Sequence, residues 1–224
     1  MRQPLAKRVV AESLGTFFLL AAVVGSGIMA ERLANGNTAL ALLANTAATG
    51  AALITLIISF APLSGAHFNP LVTLSFALRR DLVWRDVPFY VLAQLAGGIA
   101  GVIAANLMFG LPAVFASQHT RAGMAQLFSE FIATLGLLSV ILAASRSTVA
   151  VVAVAVGAYI SAAYWFTAST SFANPVVTIA RSLSDTFAGI RPVDVLGFVL
   201  AQLAGGIAAT LLFRWLMPTH SGDR

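Results

Sequence analysis

Two Asn-Pro pairs, Asn69-Pro70 and Asn174-Pro175, carry the most informative polar side chains of this 224-residue sequence. Each pair favours the start of a helix, because asparagine caps free backbone N–H groups and proline fixes φ at the first helical position. Glu12 and Glu130 lie inside long apolar runs, where a lone carboxylate is costly and needs hydrogen-bond partners. These residue types predict hydrogen bonding in an apolar environment.

The residues that enzymes use for covalent or metal chemistry are scarce. The chain has no cysteine, and its three histidines, His67, His119 and His220, are dispersed rather than spaced as a zinc cluster. The sequence also lacks a nucleophile and base at a catalytic spacing. It therefore predicts a protein that is not an enzyme, with no cofactor and no metal site.

The composition places these side chains in a lipid bilayer. Hydrophobic residues make up 59% of the chain and charged residues 9%, whereas soluble domains carry about 25% charged residues. Because a helix needs about 20 apolar residues to cross the hydrocarbon core, six stretches predict transmembrane helices. They are residues 9–30, 39–60, 88–110, 125–145, 149–168 and 195–217. The first is about twice too long for a signal peptide.

Two further apolar segments, residues 69–78 and 174–183, are too short to cross and begin at the Asn-Pro pairs. Ten helical residues rise about 15 Å, which spans half of the hydrocarbon core. The segments therefore predict half-helices whose Asn-Pro N-termini lie near the midplane. Non-helical backbone at that depth is tolerated only where protein buries it or where it lines an aqueous cavity, so the breaks predict a cavity.

The two halves of the sequence repeat each other. Residues 91–100, VLAQLAGGIA, recur unchanged as residues 199–208, and their Gly-Gly pairs favour close helix packing. Each half holds three spans and one half-helix, so the odd number of crossings inverts the second half relative to the first. We expect one channel domain over residues 1–224, with inverted halves at about 1–115 and 120–224.

Lysine and arginine are unevenly divided between the two predicted membrane faces. Since cytoplasmic loops carry the excess of basic residues, the richer face, which holds both termini, is expected in the cytoplasm. The net charge of +5 follows this distribution and predicts no nucleic-acid partner. The richer face holds Arg2, Lys7, Arg8, Arg79, Arg80, Arg85, Arg146, Arg214 and Arg224, and the other holds Arg32, Arg121, Arg181 and Arg191.

The segments SGAHFNP at 64–70 and SFANP at 171–175 resemble the paired Asn-Pro-Ala loops of the aquaporin family. The resemblance covers nearly the whole chain. It implies an all-α membrane protein, an inverted repeat of six transmembrane helices plus two re-entrant half-helices, which assembles as a homotetramer. The half-helix N-termini, each carrying about +0.5 of a charge, would disfavour cations in the pore. Asn69 and Asn174 would offer their amides to passing molecules.

The third motif residue departs from the family pattern. It is Leu71 in the first loop and Val176 in the second, where the family usually has alanine. Both side chains are bulkier than alanine. We expect them to alter the contact between the half-helices or the local width.

The resemblance also implies a selectivity filter, which spacing from the asparagines places at Thr49, Ala162, Ser171 and Val177. Val177 stands where most of the family has an arginine, and all four side chains are small or medium. The expected filter is therefore wide and free of arginine. Either Tyr159 or Trp165 could turn inward in place of Ala162.

Several polar groups have two interpretations. Arg181, one turn beyond Val177, either guards the vestibule or is a helix-end arginine that snorkels or pairs with Asp185. His67 either lines the cytoplasmic half of the pore or is a structural group. The two intramembrane glutamates either accept hydrogen bonds from the re-entrant loops, as the resemblance implies, or relay protons.

The sequence therefore favours an aquaglyceroporin-like passive channel in a bacterial inner membrane. Its expected solutes are glycerol, urea-like molecules, metalloid hydroxides such as arsenous acid, and water. The run from Thr167 to Ile190 resembles a bacterial branch linked to arsenic resistance. The alternative is a secondary transporter coupled to protons through Glu12 or Glu130, since inverted repeats with broken helices also build transporters.

Overall fold

The computed structural model describes residues 3–217, which form six long helices, two short helices and one 3₁₀ turn. The long helices are α1 (Leu5–Leu33), α2 (Thr38–Ser64), α4 (Val87–Met108), α5 (Met124–Ala144), α6 (Val149–Phe166) and α8 (Pro192–Leu216). The short helices are α3 (Pro70–Leu78) and α7 (Pro175–Arg181), and the 3₁₀ turn is Trp84–Asp86. All six long helices are long and apolar enough to cross a bilayer, so this is an all-α, multi-pass membrane protein.

The helices agree with the predicted spans except near their ends. Helix α1 begins at Leu5, before the predicted start, and α7 ends at Arg181, before the predicted end at residue 183. Helix α7 is short because the backbone N–H groups of Ser182 and Leu183 bond back to residues 179 and 180, which tightens the last turn. Arg2, Arg224 and His220 lie outside the described residues, and the orientation of the termini stays a prediction.

Helix α1 packs along α4, and α5 packs along α8 in the same way. Glycine permits both approaches. A Cβ atom on Gly97 would lie 2.1 Å from the carbonyl oxygen of Ser13, and one on Gly205 would lie 2.4 Å from that of Phe131. Because no side chain fits at such distances, the prediction of close helix packing at the repeated Gly-Gly pairs is confirmed.

The half-helices α3 and α7 enter from opposite faces, because three long helices separate them in the chain. Their N-terminal ends meet inside the protein. The side-chain amide of Asn69 donates to the carbonyl oxygen of Ala173 at 2.8 Å, and that of Asn174 donates to the carbonyl oxygen of Phe68 at 2.8 Å. We call the membrane face from which α3 enters 'the α3 side' and the face from which α7 enters 'the α7 side'.

Candidate solute pore

Each motif asparagine caps its own half-helix with its side-chain oxygen. Oδ1 of Asn69 accepts from the N–H of Leu71 at 2.9 Å, and Oδ1 of Asn174 accepts from the N–H of Val176 at 3.0 Å. Each Nδ2 carries two hydrogens and donates one to the opposite half-helix. Both asparagines line the central cavity, so one N–H of each is left for a molecule inside it.

Glu12 holds the segment that leads into α3. Its Oε1 accepts from the hydroxyl of Ser64 at 2.6 Å and from the N–H of His67 at 2.9 Å. Its Oε2 accepts from the N–H of Phe68 and from the amide of Gln94, both at 2.8 Å. Phe68 has φ of 49°, a left-handed conformation that is costly for a residue other than glycine. The carboxylate therefore stabilises a strained backbone.

Glu130 does the same for the segment that leads into α7. It accepts from the N–H groups of Phe172 and Ala173, both at 2.9 Å, and from the amide of Gln202 at 2.6 Å. Ala173 has φ of 48°, the counterpart of the strained residue in the first half. Both glutamates are fully buried and neither lines the cavity. The bonds to the re-entrant backbone are those that the sequence analysis expected.

A cavity of about 310 Å³ runs past both asparagines, from the α5–α6 loop on the α3 side to Arg181 on the α7 side. Its lining mixes apolar side chains, most of them from the long helices, with polar groups, most of them from the re-entrant segments and the α5–α6 loop. The apolar lining includes Leu19, Val23, Leu53, Ile57, Leu137, Ile141, Val152, Val156 and Ile160. The polar lining includes Thr49, His67, Asn69, Ser145, Ser147, Tyr164, Ser171, Asn174 and Arg181.

Three of the four predicted filter residues, Thr49, Ser171 and Val177, line this cavity. The placement of Ala162 is wrong, because this residue lies on the exposed face of α6. Tyr164 lines the cavity instead, and its hydroxyl donates to Oγ1 of Thr49 at 3.4 Å.

Neither of the aromatic alternatives to Ala162 turns inward. Trp165 is 50% exposed on the outer surface of α6. Tyr159 packs towards α5, where its hydroxyl donates to the carbonyl oxygen of Ala133 at 3.1 Å. The inward aromatic position on α6 therefore lies one residue before Trp165.

Arg181 lines the same cavity, in agreement with its vestibule interpretation, and the filter free of arginine at the position of Val177 stays a prediction. Its side chain neither snorkels nor pairs with Asp185. It is 2% exposed, its Nε donates to the carbonyl oxygen of Ala188, and its guanidinium lies 3.5 Å from the ring centre of Phe172. Asp185 instead accepts from the N–H of Gln118 at 2.8 Å.

Leu71 and Val176 are buried and point away from the cavity. A Cβ atom on Gly206 would lie 3.6 Å from Leu71, and one on Gly98 would lie 2.7 Å from Cγ1 of Val176. Both residues pack against glycines of α8 and α4, and the expectation that they alter the contact between the half-helices or the pore width stays a prediction. The second glycine of each repeated pair provides the space.

His67 both lines the cavity and takes part in a structural contact, so its two interpretations coexist. Its Nδ1 lies 3.1 Å from Oγ1 of Thr73, and its ring packs against Phe76 and Tyr90. Gln94 and Gln202, which the sequence analysis did not single out, complete the carboxylate sites. Their recurrence at the same place in the repeated decapeptide was the signal that could have found them.

Arg121, in the loop between α4 and α5, is a second buried arginine that sequence reasoning missed. Its Nε donates to the carbonyl oxygen of Gly189 at 2.8 Å, and its Nη1 donates to that of Ser169 at 3.1 Å. Its guanidinium lies 4.9 Å from the ring centre of Phe172, the ring that Arg181 also contacts. Burial lowers the pKa of Arg121 to about 10, which leaves it charged at neutral pH.

Two inverted halves, two opposed half-helices and a cavity at their junction define a multi-pass membrane channel. Comparisons with known proteins identify the family. The sequence profile of the major intrinsic protein family matches residues 1–148. The chain is 56% identical to the aquaglyceroporin AqpS of Rhizobium meliloti (strain 1021), over 95% of this chain and 91% of that protein. The chain therefore belongs to the major intrinsic protein family and is a channel protein, not an enzyme.

More distant relatives agree with this assignment. Aquaporin NIP1-4 of Oryza sativa subsp. japonica is 32% identical, over 96% of this chain and 78% of that protein. The X-ray structure of the aquaglyceroporin from Plasmodium falciparum superposes with a TM-score of 0.71 over 95% of both chains. At 20% identity, that structure supports the fold alone.

Proposed function

We propose that this chain is a passive channel for small neutral solutes, with glycerol, urea-like molecules, metalloid hydroxides such as arsenous acid, and water as its cargo. The observation that carries the proposal is the cavity at Asn69 and Asn174, whose lining combines apolar side chains with hydrogen-bonding groups. A polyol can place its carbon atoms against the apolar side chains and its hydroxyls on the polar groups. A cation would lose its hydration against the apolar side chains, which is costly at membrane depth.

The surroundings of Glu12 and Glu130 favour the channel over the proton-coupled transporter. A proton relay needs a carboxylate that the pore can reach, whereas neither glutamate lines the cavity. Glu12 already accepts four hydrogen bonds and Glu130 three. Protonation would remove acceptor capacity that the strained segments use.

The filter region supports solutes larger than water. Thr49, Ser171 and Val177 are small or medium, and Tyr164 is the aromatic side chain that α6 contributes beside them. We propose that these four residues set the size limit. Relatives named aquaglyceroporin are consistent with this assignment.

The experiment is stopped-flow light scattering on proteoliposomes, comparing water, glycerol, urea and arsenous acid with and without the protein. We expect fast uptake of all four driven by their own gradients. Permeation of water alone would reject the wide filter, and flux that requires a pH gradient would favour the transporter. We further propose a homotetramer in a bacterial inner membrane with both termini cytoplasmic, which cross-linking and cysteine labelling from each face would test.

A further inference from the structure

The guanidinium of Arg181 is a buried cation whose terminal nitrogens are unused by the protein. The side chain is 2% exposed and lines the cavity. Within residues 3–217, Nε donates to Ala188, while Nη1 and Nη2 have no hydrogen-bond partner and no carboxylate lies within salt-bridge distance. Phe172 covers the flat face of the guanidinium and leaves its edge for a ligand.

The hydroxyl of Ser171 is a second unused donor at the same side of the cavity. Its Oγ is buried and has no hydrogen-bond partner among the described residues, and Ser171 lines the cavity. Thr49 and Tyr164 bring two further hydroxyls to the lining. The buried, unsatisfied hydroxyl of Ser171 is a cost to the empty protein, which a bound acceptor would remove, and Arg181 lines the same cavity.

The three carboxylate side chains that the structure describes in the second half do not compensate the charge inside the cavity. Glu130 accepts backbone and amide hydrogen bonds, Asp185 accepts from the N–H of Gln118, and Asp194 accepts from Arg191 at 3.0 Å. None of the three lines the cavity. A molecule at the α7 side therefore meets hydrogen-bond donors and positive charge, with no acidic side chain among the described residues that line the cavity.

We propose that the α7 side of the cavity binds a small, planar, monovalent anion, held by the terminal nitrogens of Arg181 and the hydroxyl of Ser171. The proposal rests on the channel function, because the anion would occupy the path of the neutral solute. A planar oxyanion matches the planar fork of a guanidinium, which donates two parallel hydrogen bonds. The bound anion slows the passage of neutral solutes.

Nitrate is the probe, because it is planar and stays charged at neutral pH. Glycerol flux is measured in proteoliposomes at pH 7 with equal sodium nitrate on both sides, against sodium gluconate at the same ionic strength. Nitrate is expected to slow glycerol saturably, whereas gluconate is too large to reach the site. In Arg181→Gln the half-inhibitory nitrate concentration rises by about tenfold or more, because a charged double hydrogen bond is lost.

Ser171→Ala and Arg32→Gln complete the set. Ser171→Ala removes one neutral donor, so the half-inhibitory nitrate concentration rises less, by about threefold. Arg32 is exposed at the α7 side and donates to the carbonyl oxygen of Phe109, so Arg32→Gln removes a surface cation and leaves the nitrate effect unchanged. Equal inhibition by nitrate and gluconate, or full sensitivity in Arg181→Gln, overturns the site. If Arg181→Gln does not fold, an unchanged half-inhibitory nitrate concentration in Ser171→Ala overturns the site.

Titration calorimetry of the detergent-solubilised protein with sodium nitrate separates the two proposals. Saturable heat in the wild type that disappears in Arg181→Gln supports the anion site even if glycerol flux is absent. Absent glycerol flux by itself rejects the channel proposal. Glycerol flux without nitrate binding retains the channel and rejects the site.

Discussion

The two sides of the pore share one scaffold and differ in the aromatic ring that lies two residues before each motif asparagine. On the α3 side this ring is His67, whose Nδ1 contacts Thr73 and whose ring centre lies 5.4 Å from that of Tyr90. On the α7 side it is Phe172, whose ring centre lies 5.3 Å from that of Phe198. Each ring thus rests on an aromatic residue near the start of α4 or α8.

The charge around these rings is asymmetric. The guanidinium of Arg181 lies 3.5 Å from the ring centre of Phe172, and the guanidinium of Arg121 lies 4.9 Å from it. On the α3 side the buried arginine is Arg8, which pairs with Asp86 at 2.8 Å and does not line the cavity. The backbone anchors are thus duplicated while the lining has diverged, which indicates that anchoring and selection are separate tasks of the scaffold.

The largest expected effect tests the shared anchors. Glu12→Ala removes the acceptor of four hydrogen bonds and Glu130→Ala that of three, so both should lower the free energy of unfolding by about 3 kcal/mol or more, Glu12→Ala by the larger amount. Thermal unfolding in detergent measures this. Normal stability in either variant would show that the strained segments do not depend on their carboxylates.

The second prediction tests whether the halves are packed alike. Gly205→Ala places a Cβ atom 2.4 Å from the backbone oxygen of Phe131 and should cost about 2–3 kcal/mol, and Gly97→Ala should behave the same way. Gly206→Ala is the matched control, because its Cβ would meet Leu71 at 3.6 Å, an ordinary contact. Thermal unfolding of the three variants measures these costs. Equal losses of stability in Gly205→Ala and Gly206→Ala would contradict the close approach of α8 to α5 at Gly205.

The architecture was predictable because its signals are local. Apolar runs of membrane length, Asn-Pro starts and a repeated decapeptide each depend on neighbouring residues, and they placed all six spans and both half-helices. The intramembrane cost of a lone carboxylate likewise predicted hydrogen-bond partners for Glu12 and Glu130, and the family resemblance implied that those partners are in the re-entrant loops.

The pore lining was less predictable, because it depends on helix phase and on long-range contacts. Ala162 and Tyr164 are two residues apart, which is a rotation of about 200° on a helix and therefore the opposite face. The surrounding run of α6 is apolar on every side, so periodicity did not fix the phase. Arg121 reaches Phe172 from a loop in the middle of the chain, a contact that no local pattern marks.

The third prediction tests whether the α7 side sets the size limit for solutes. Val177→Arg adds a guanidinium to the cavity, one helical turn from Arg181, and should narrow it. Glycerol permeability is expected to fall about tenfold, equivalent to about 1.4 kcal/mol, and water permeability to fall less. Stopped-flow light scattering compares the two solutes in the same vesicles. An equal effect on both solutes, or none, would place the size limit elsewhere.

The smallest expected effect comes from His67→Phe, which gives the α3 side the same aromatic ring that Phe172 provides on the α7 side. His67→Phe removes the contact between Nδ1 and Thr73, but Oγ1 of Thr73 also accepts from the amide of Gln94 at 3.0 Å and keeps a partner. The loss of stability should therefore stay below about 1 kcal/mol, and glycerol flux should change by about twofold or less.

Phe76 and Tyr90 already form an aromatic surface that accepts the new ring of His67→Phe. Thermal unfolding and glycerol flux of this variant, beside the wild type, measure both quantities. A severe loss of flux at normal stability would show that the imidazole itself contacts the solute. The α3 side would then be a second selective region, and the division between a selective α7 side and a neutral α3 side would fail.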